Sequence, residues 1–311
     1  MNDFLKYWDE VLAYWVEHGE VPASESCWDF EKIGLYCELM PEPYIGNPAD
    51  CSVVILNYNP GAAKYDLRTQ EGVEMYRKDA VHHSRLDDPE AMCHHYARDY
   101  RERAFAGSYL GKGVDPKYDT SGLHPKGKQW WEKRLDWFRE LVPESKKLPF
   151  ALELCGWHSY KWENIKYDEK LLNRLKEVLA PVIDEAIKAS DLGIGLCVGA
   201  QWSAQVLPAF GYRDVTAEVM GLTDYRHGWK PLGGQRNYCI MRNDNGTYII
   251  NTWLSRGFNM MRVPSEEFRS VEKDIINRIK ESEKPTSLLD AFLDDPKSAT
   301  DQMCGFFKPN V

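Results

Sequence analysis

Three short, almost uninterrupted apolar runs constrain the fold of this chain more than any other feature. They cover residues 52–57, 148–154 and 192–198. A continuous apolar run of this length is typical of a strand that is covered on both faces, as in a parallel sheet between helices. Amphipathic helices are expected over residues 168–189 and 200–210. Because strands alternate with helices, the pattern predicts an α/β three-layer sandwich around a mainly parallel central sheet.

Other patterns complete this arrangement. Apolar residues at helical spacing predict an N-terminal helix over residues 3–17 that ends at Gly19. The turn sequence Asn-Asp-Asn-Gly predicts a β-hairpin. The remaining predicted elements are the hairpin strands at 237–241 and 248–251, a closing helix at 265–281, and helices near 70–80, 89–104 and 127–141. The predicted divisions are an acidic helical N-terminal extension (1–48), an α/β domain (49–283) with a helical insertion at 62–147, and a C-terminal tail (284–311).

The acidic charge of the chain is concentrated at one end. The formal net charge is −9 at pH 7. The first 50 residues carry eleven Asp and Glu side chains against two Lys, which accounts for the whole excess. A net negative charge argues against a general nucleic-acid binder. Since the rest of the chain is neutral overall, local basic patches remain compatible with nucleic-acid binding.

The other compositional features point to a reduced protein without a membrane span. No window of eighteen apolar residues exists, and no secretory signal precedes the first helix. The eight cysteines form no C-x-x-C pair, so we expect reduced thiols and a cytoplasmic protein. The spacing of the His and Cys side chains in the insertion matches no standard metal site, so we expect no metal and no other cofactor. Those side chains are His82, His83, Cys93, His94 and His95.

Polar or glycine-rich segments follow the predicted strands. Ligands of parallel α/β sheets bind at the carboxyl ends of the strands. The most informative end is the first, where residues 57–61 read Asn-Tyr-Asn-Pro-Gly. Pro60 fixes the local φ, Gly61 allows a ligand to approach the backbone, and Asn59 presents an amide above the sheet. The alternative is an ordinary strand-to-loop turn with an Asn that caps itself.

This first strand end resembles the G-x-N-P-G segment of the uracil-DNA glycosylase superfamily, in its mismatch-specific and single-strand-selective branches. Residues 197–205 are similar to that superfamily's strand, glycine and Ala-Gln helix. Residues 249–256 lie where the family places its second catalytic loop. The order and spacing match over roughly residues 50–280. The first motif begins here with Asn57 instead of glycine, and the last lacks the family's Pro-Ser.

The resemblance implies a DNA glycosylase that flips a nucleotide out of the helix and hydrolyses its N-glycosidic bond. Asn59 would position the attacking water, and Asn251 would donate to the departing base. Because an amide is a poor base, either a good leaving group or another base is also needed. The candidates for such a base are Asp66 and Glu153. His158 is a candidate general acid.

The same resemblance implies residues for binding. The predicted base-binding residues are Asn57, Tyr58, Gly61 and Trp157. The predicted DNA phosphate-binding residues are Gly199, Gln201, Ser203, Ser255 and Arg256. Glu153 or His158 could also read a base edge, and Trp157 could stack on one. The alternative for the second strand end is a buried Trp with a hydrogen-bonded His under the loop.

Gly61 also bears on the substrate. Uracil-specific relatives place a large aromatic residue at this point, which blocks the pyrimidine 5-position. The small residue here predicts a bulkier base, such as a 5-modified pyrimidine, and a role in DNA repair or antiviral defence. We expect a monomer that binds single- or double-stranded DNA. Two alternatives stay open: a non-catalytic binder of modified DNA or nucleotides, and a hydrolase of free nucleosides.

Overall fold

A seven-stranded mixed sheet organises the computed structural model. Its strand order is β1–β3–β2–β4–β7–β6–β5. The strands are β1 (Tyr44–Ile45), β2 (Val54–Asn57), β3 (Phe150–Glu153), β4 (Ile194–Val198), β5 (Arg213–Asp214), β6 (Arg236–Arg242) and β7 (Tyr248–Leu254). The structure describes residues 2–18, 20–37, 41, 43–59, 69–72, 134–159, 165–226, 228–229, 236–254 and 265–282.

The four central strands run parallel. β2 pairs in parallel with β3 and β4, and β4 pairs in parallel with β7. The outer strands β1, β5 and β6 are antiparallel to their neighbours. Every residue of β2, β3 and β4 is buried, as expected for strands with helices on both faces. The predicted α/β architecture with a mainly parallel sheet is therefore confirmed.

Two helical layers cover the sheet. The helices are α1 (Asn2–His18), α2 (Phe30–Ile33), α3 (residues 134–141), α4 (Glu169–Ala189), α5 (Leu207–Ala209), α6 (Thr216–Met220) and α7 (Glu266–Ser282). Helices α1 and α4 pack on the face that carries Val54 and Leu56, which we call the first face. Helices α3 and α7 pack on the second face, which carries Val53 and Ile55. The alternation follows from the two-residue period of a strand.

The N-terminal segment belongs to this core. Phe4, Trp8 and Val11 of α1 are buried in the same cluster as the first face. The Trp8 ring lies so close to Gly156 that a Cβ there would be 2.5 Å from Trp8 Cη2. Helix α1 and the edge strand β1 both lie within residues 1–48, which were predicted to form an extension. Both elements pack as part of the domain.

Most predicted elements lie within a few residues of their observed bounds. The helix after β4 differs, because residues Trp202–Val206 are π-helical before α5 begins. Leu207 N–H donates to the Trp202 carbonyl five residues back, which is the π-helical pattern. The next residue, Pro208, has no N–H and cannot donate to the carbonyl four residues earlier. The predicted helix near 89–104, parts of those near 70–80 and 127–141, Gly19 and the tail lie outside the described residues. Among the helices in the described ranges, none combines the length and hydropathy that a membrane span requires.

Candidate functional site

The direction of the sheet's connections identifies its binding edge. From β2 the chain passes to β3 on one side, and from β4 it passes to β5, β6 and β7, which all lie on the other side. This reversal is a topological switch point, and α/β sheets bind ligands outside the carboxyl strand ends at such points. The candidate site therefore centres on residues 57–59 after β2 and residues 199–202 after β4.

Tyr58 occupies the space between these two strand ends. Its ring centroid lies 6.0 Å from that of Trp202, in a stacked arrangement. Gly199 has a φ of +126°, and a Cβ there would be 2.1 Å from Tyr58 Oη. Both facts require glycine at this position. Burial raises the pKa of Tyr58 well above its usual value, and the backbone amides of Gln201 and Trp202 oppose that shift.

Gly199, Gln201 and Ser203 were predicted to bind DNA phosphate, but the backbone amides of Gln201 and Trp202 face the neutral phenol of Tyr58. A helix N-terminus of this kind binds anions, but here the Tyr58 hydroxyl lies against it. Ser203 is buried, and its hydroxyl donates to the Ala200 carbonyl at 3.3 Å. In this structure the backbone of Gly199 and Gln201 thus lies against Tyr58, and Ser203 is bonded within its own turn.

Asn59 lies at the carboxyl end of β2 and is half-buried. Its Nδ2 donates to Ser159 Oγ at 2.8 Å. The backbone of residues 154–155 continues the pairing of β3 with β2, since the N–H groups of Leu154 and Cys155 donate to the carbonyls of Asn57 and Tyr58, each at 2.9 Å. The segment 154–159, which we call the β3 loop, is therefore tied to residues 57–58 through its backbone and to Asn59 through the Ser159 side chain.

Asn57 and Glu153 form a buried polar pair beside Asn59. They are register partners at the ends of β2 and β3, and Asn57 Nδ2 donates to Glu153 Oε1 at 3.2 Å. Both side chains lie on the second face, under α3. Arg134 of α3 is 3% exposed. Burial lowers its pKa to about 9, and the charge of Glu153 opposes that shift.

Two more buried charged residues, Arg236 and Glu272, lie near Arg134. Arg236 of β6 donates from Nη1 to Thr252 Oγ1 at 2.9 Å, and burial lowers its pKa. Glu272 of α7 accepts from Trp137 Nε1 at 2.6 Å. Burial raises the pKa of Glu272 to about 7, while Trp137 and Arg236 lower it.

Sequence reasoning did not assign Arg134, Arg236 or Glu272 to the site. For Arg134, the spacing along the helix gave a weak indication of burial. Arg134 precedes Trp137 and Phe138 by three and four positions, so it shares their apolar helix face. A charged residue on such a face is buried only when it is paired.

Asn251 lies within the sheet and not at its edge. Its Nδ2 donates to Ser203 Oγ at 2.7 Å, and its Oδ1 accepts from Cys197 Sγ at 3.1 Å. The side chain is fully buried on the first face, opposite Asn57 and Glu153. β7 continues to Leu254, three residues further. The amide of Asn251 therefore anchors the π-helical turn to the sheet.

Trp157 and His158 belong to the β3 loop, and both residues are buried in the core. Trp157 Nε1 donates to Glu25 Oε2 at 2.9 Å, and its ring packs edge-on against Phe30. His158 is buried, and its carbonyl accepts from Tyr36 N at 2.9 Å. The burial of the Trp157 indole agrees with the packing alternative for the second strand end, and the His158 bond named here is made by its backbone carbonyl.

Several predicted residues fall outside the described part of the chain. They are Gly61, Asp66, Ser255 and Arg256, together with the His and Cys side chains of the insertion. Within the described ranges, no group of three or more His, Cys, Asp or Glu side chains could hold a metal ion.

Comparison with protein-family models, with curated proteins and with solved structures gave no significant match. The resemblance of the strand-end motifs to the uracil-DNA glycosylase superfamily therefore stays a prediction.

Proposed function

We propose that this protein is an N-glycosylase that hydrolyses the glycosidic bond of a base flipped out of DNA. The observation that carries the proposal is the position of Asn59. It follows β2 at the topological switch point, and its amide is oriented by a hydrogen bond of 2.8 Å to Ser159. An oriented amide beside a ligand-binding edge is suited to positioning a water molecule for attack.

In the proposed reaction, water attacks C1′ of the sugar, the bond between C1′ and the base nitrogen breaks, and the base leaves with the bonding electron pair. The proton that the water loses ends on the departing base. The sugar gains oxocarbenium character in the transition state, and the base gains negative charge. Asn59 Oδ1 accepts a hydrogen bond from the attacking water and so fixes its direction. The buried guanidinium of Arg134 contributes a positive potential at the strand ends, which favours the charge on the departing base.

The pair of Asn57 and Glu153 supports recognition of an amino-bearing pyrimidine. A carboxylate accepts a hydrogen bond from the exocyclic amine of cytosine, and an amide can donate to or accept from the same edge. The two side chains already share a hydrogen bond of 3.2 Å at adjacent strand ends. We therefore favour a modified cytosine over uracil as the substrate base.

The test is a panel of oligonucleotides and phage DNAs that carry uracil, thymine mismatches and 5-modified cytosines. Released bases are measured by mass spectrometry, and abasic sites by alkali-sensitive strand breaks. We expect base release from at least one modified cytosine and a loss of about 100-fold or more in Asn59→Ala. The matched control is Asn245→Ala. Asn245 lies in the β6–β7 turn, at the end of the sheet opposite the carboxyl ends of the parallel strands. An absence of base release from every substrate would refute the proposal.

One observation favours a second candidate, a non-catalytic binder of modified DNA. The amide of Asn251, which the family resemblance assigns to the departing base, makes its two hydrogen bonds inside the protein. A binder would retain modified DNA without releasing its base. Its affinity would fall steeply with added salt, because phosphate contacts release counterions.

A further inference from the structure

Glu25 is a buried carboxylate that is distant in sequence from the predicted motifs but in contact with one of their residues, Trp157. It ends the single 3₁₀ turn Ala23–Glu25, and only 3% of the residue is exposed. Its Oε2 accepts from Trp157 Nε1 at 2.9 Å, and its Oε1 accepts from the Tyr7 hydroxyl. The carboxylate therefore joins α1, the segment after it and the β3 loop at one point.

The segment 20–37 makes further contacts with the β3 loop. Tyr36 N donates to the His158 carbonyl at 2.9 Å, and Leu35 forms an antiparallel bridge with Ser159. The Phe30 and Trp157 rings are 5.4 Å apart. These contacts are local to Trp157, His158 and Ser159, so the segment holds the loop along its second half.

The β3 loop in turn holds Asn59. Ser159 bridges to Leu35 through its backbone and accepts from Asn59 Nδ2 at 2.8 Å through its side chain. A displacement of Trp157 therefore moves the hydroxyl that orients the Asn59 amide, only two residues further along the chain.

We propose that Glu25 is a positioning residue for Asn59, because its bond to the Trp157 indole fixes the β3 loop that orients the Asn59 amide. The catalytic part of this inference rests on the proposed function. The effect of Glu25 on the Asn59 amide does not, and it can be measured without any substrate.

The protonation state of Glu25 sets how firmly the β3 loop is held. Burial raises its pKa to about 7, whereas the Trp157 and Trp28 indoles and the Arg174 charge lower it. The other titratable groups around Glu25 are Tyr7 of α1, Cys27 of its own segment and Cys155 of the β3 loop. Because burial raises this pKa, the closed arrangement binds the proton more tightly than an opened loop would. The β3 loop is therefore held more firmly below pH 7 than above it.

The structural test is a pH titration by NMR of the full chain. The indole signal of Trp157 is assigned with Trp157→Phe, and the side-chain amide signal of Asn59 with Asn59→Ala. We expect both signals to shift between pH 6 and 8 with a midpoint near 7, the pKa of Glu25. In Glu25→Gln, which keeps the shape but cannot titrate, neither signal should show this shift.

Controls separate this effect from general changes. Glu218→Gln alters an exposed glutamate that pairs with Arg213, and both NMR shifts should persist in it. If Glu25→Gln does not fold, Trp157→Phe tests the same contact from its other end, and the Asn59 shift should again be lost. An Asn59 signal that does not titrate in the native chain, or titrates equally in Glu25→Gln, would overturn the inference.

The kinetic test uses the base that the protein releases. Single-turnover release should fall about tenfold from pH 6 to pH 8 in the native protein, as expected when one group with a pKa near 7 must be protonated. The profile of Glu25→Gln should lack this step, and that of Glu218→Gln should keep it. Base release whose pH profile is identical in the native protein and Glu25→Gln refutes the catalytic coupling. If no base is released at all, the proposed function fails, and the NMR titration alone decides the role of Glu25.

Discussion

Glu272 offers a quantitative test of how burial sets the charge balance beneath the strand ends. It lies on α7 with 1% of the residue exposed, and its carboxylate accepts from the Trp137 indole at 2.6 Å. Burial has the largest effect on its pKa, which is raised from 4.5 to about 7. The perturbation is Glu272→Gln, which keeps an acceptor for Trp137 and removes the titration.

The sign follows from proton linkage. Because the pKa of Glu272 is higher in the folded state, the unfolded chain releases this proton at a lower pH than the folded protein does. The stability that Glu272 contributes is full below about pH 4.5 and is lost as the pH rises through about 7. At about 1.4 kcal/mol per pH unit, the loss over this window is about 3 kcal/mol. The free energy of unfolding of Glu272→Gln, relative to the native protein, should therefore rise by about this amount.

The assay is urea unfolding followed by far-UV circular dichroism at pH 5, 6, 7 and 8. Taking the difference between variant and native protein cancels the other titrating groups. Glu218→Gln, at an exposed site, serves as the matched control and should show a much smaller trend with pH. A difference for Glu272→Gln that stays constant from pH 5 to 8 would refute the reasoning.

Two further predictions concern the first face. Gly199→Ala should cost more stability than Gly211→Ala, because both glycines have positive φ but only at position 199 does a new Cβ meet the Tyr58 ring; equal losses in urea unfolding would contradict the clash. Asn251→Ala should lower the free energy of unfolding by about 1–3 kcal/mol, since it removes the buried partner of the Ser203 hydroxyl. Unchanged stability with abolished base release would instead assign Asn251 to the chemistry.

The sequence predicted the central sheet well because burial on both faces leaves a direct signature. Val53 and Ile55 face one helical layer while Val54 and Leu56 face the other, so all four must be apolar. The same logic placed Asn59 at the carboxyl end of β2. These predictions needed only local sequence and the general rule for parallel sheets.

The rest depends on contacts between distant segments. The position of Asn251 inside the sheet is set by pairing with β6, which extends β7 to Leu254, and no local pattern marks that length. Glu25 reads as one more acid in an acidic segment until Trp157, over a hundred residues later, is placed beside it. Buried charges of this kind look like solvated ones in the sequence, because their partners are non-local.

The contact between Trp8 and Gly156 has a consequence for synthesis of the chain. The apolar side of α1 leaves the ribosome about 150 residues before the β3 loop that covers it. At about 5–20 residues per second, this interval is on the order of 10–30 s. During that time Phe4, Trp8 and Val11 lack the surface on which they finally pack. The nascent chain therefore exposes the apolar side of an amphipathic helix, to which chaperones can bind. Slowing translation between α1 and β3 should therefore increase aggregation.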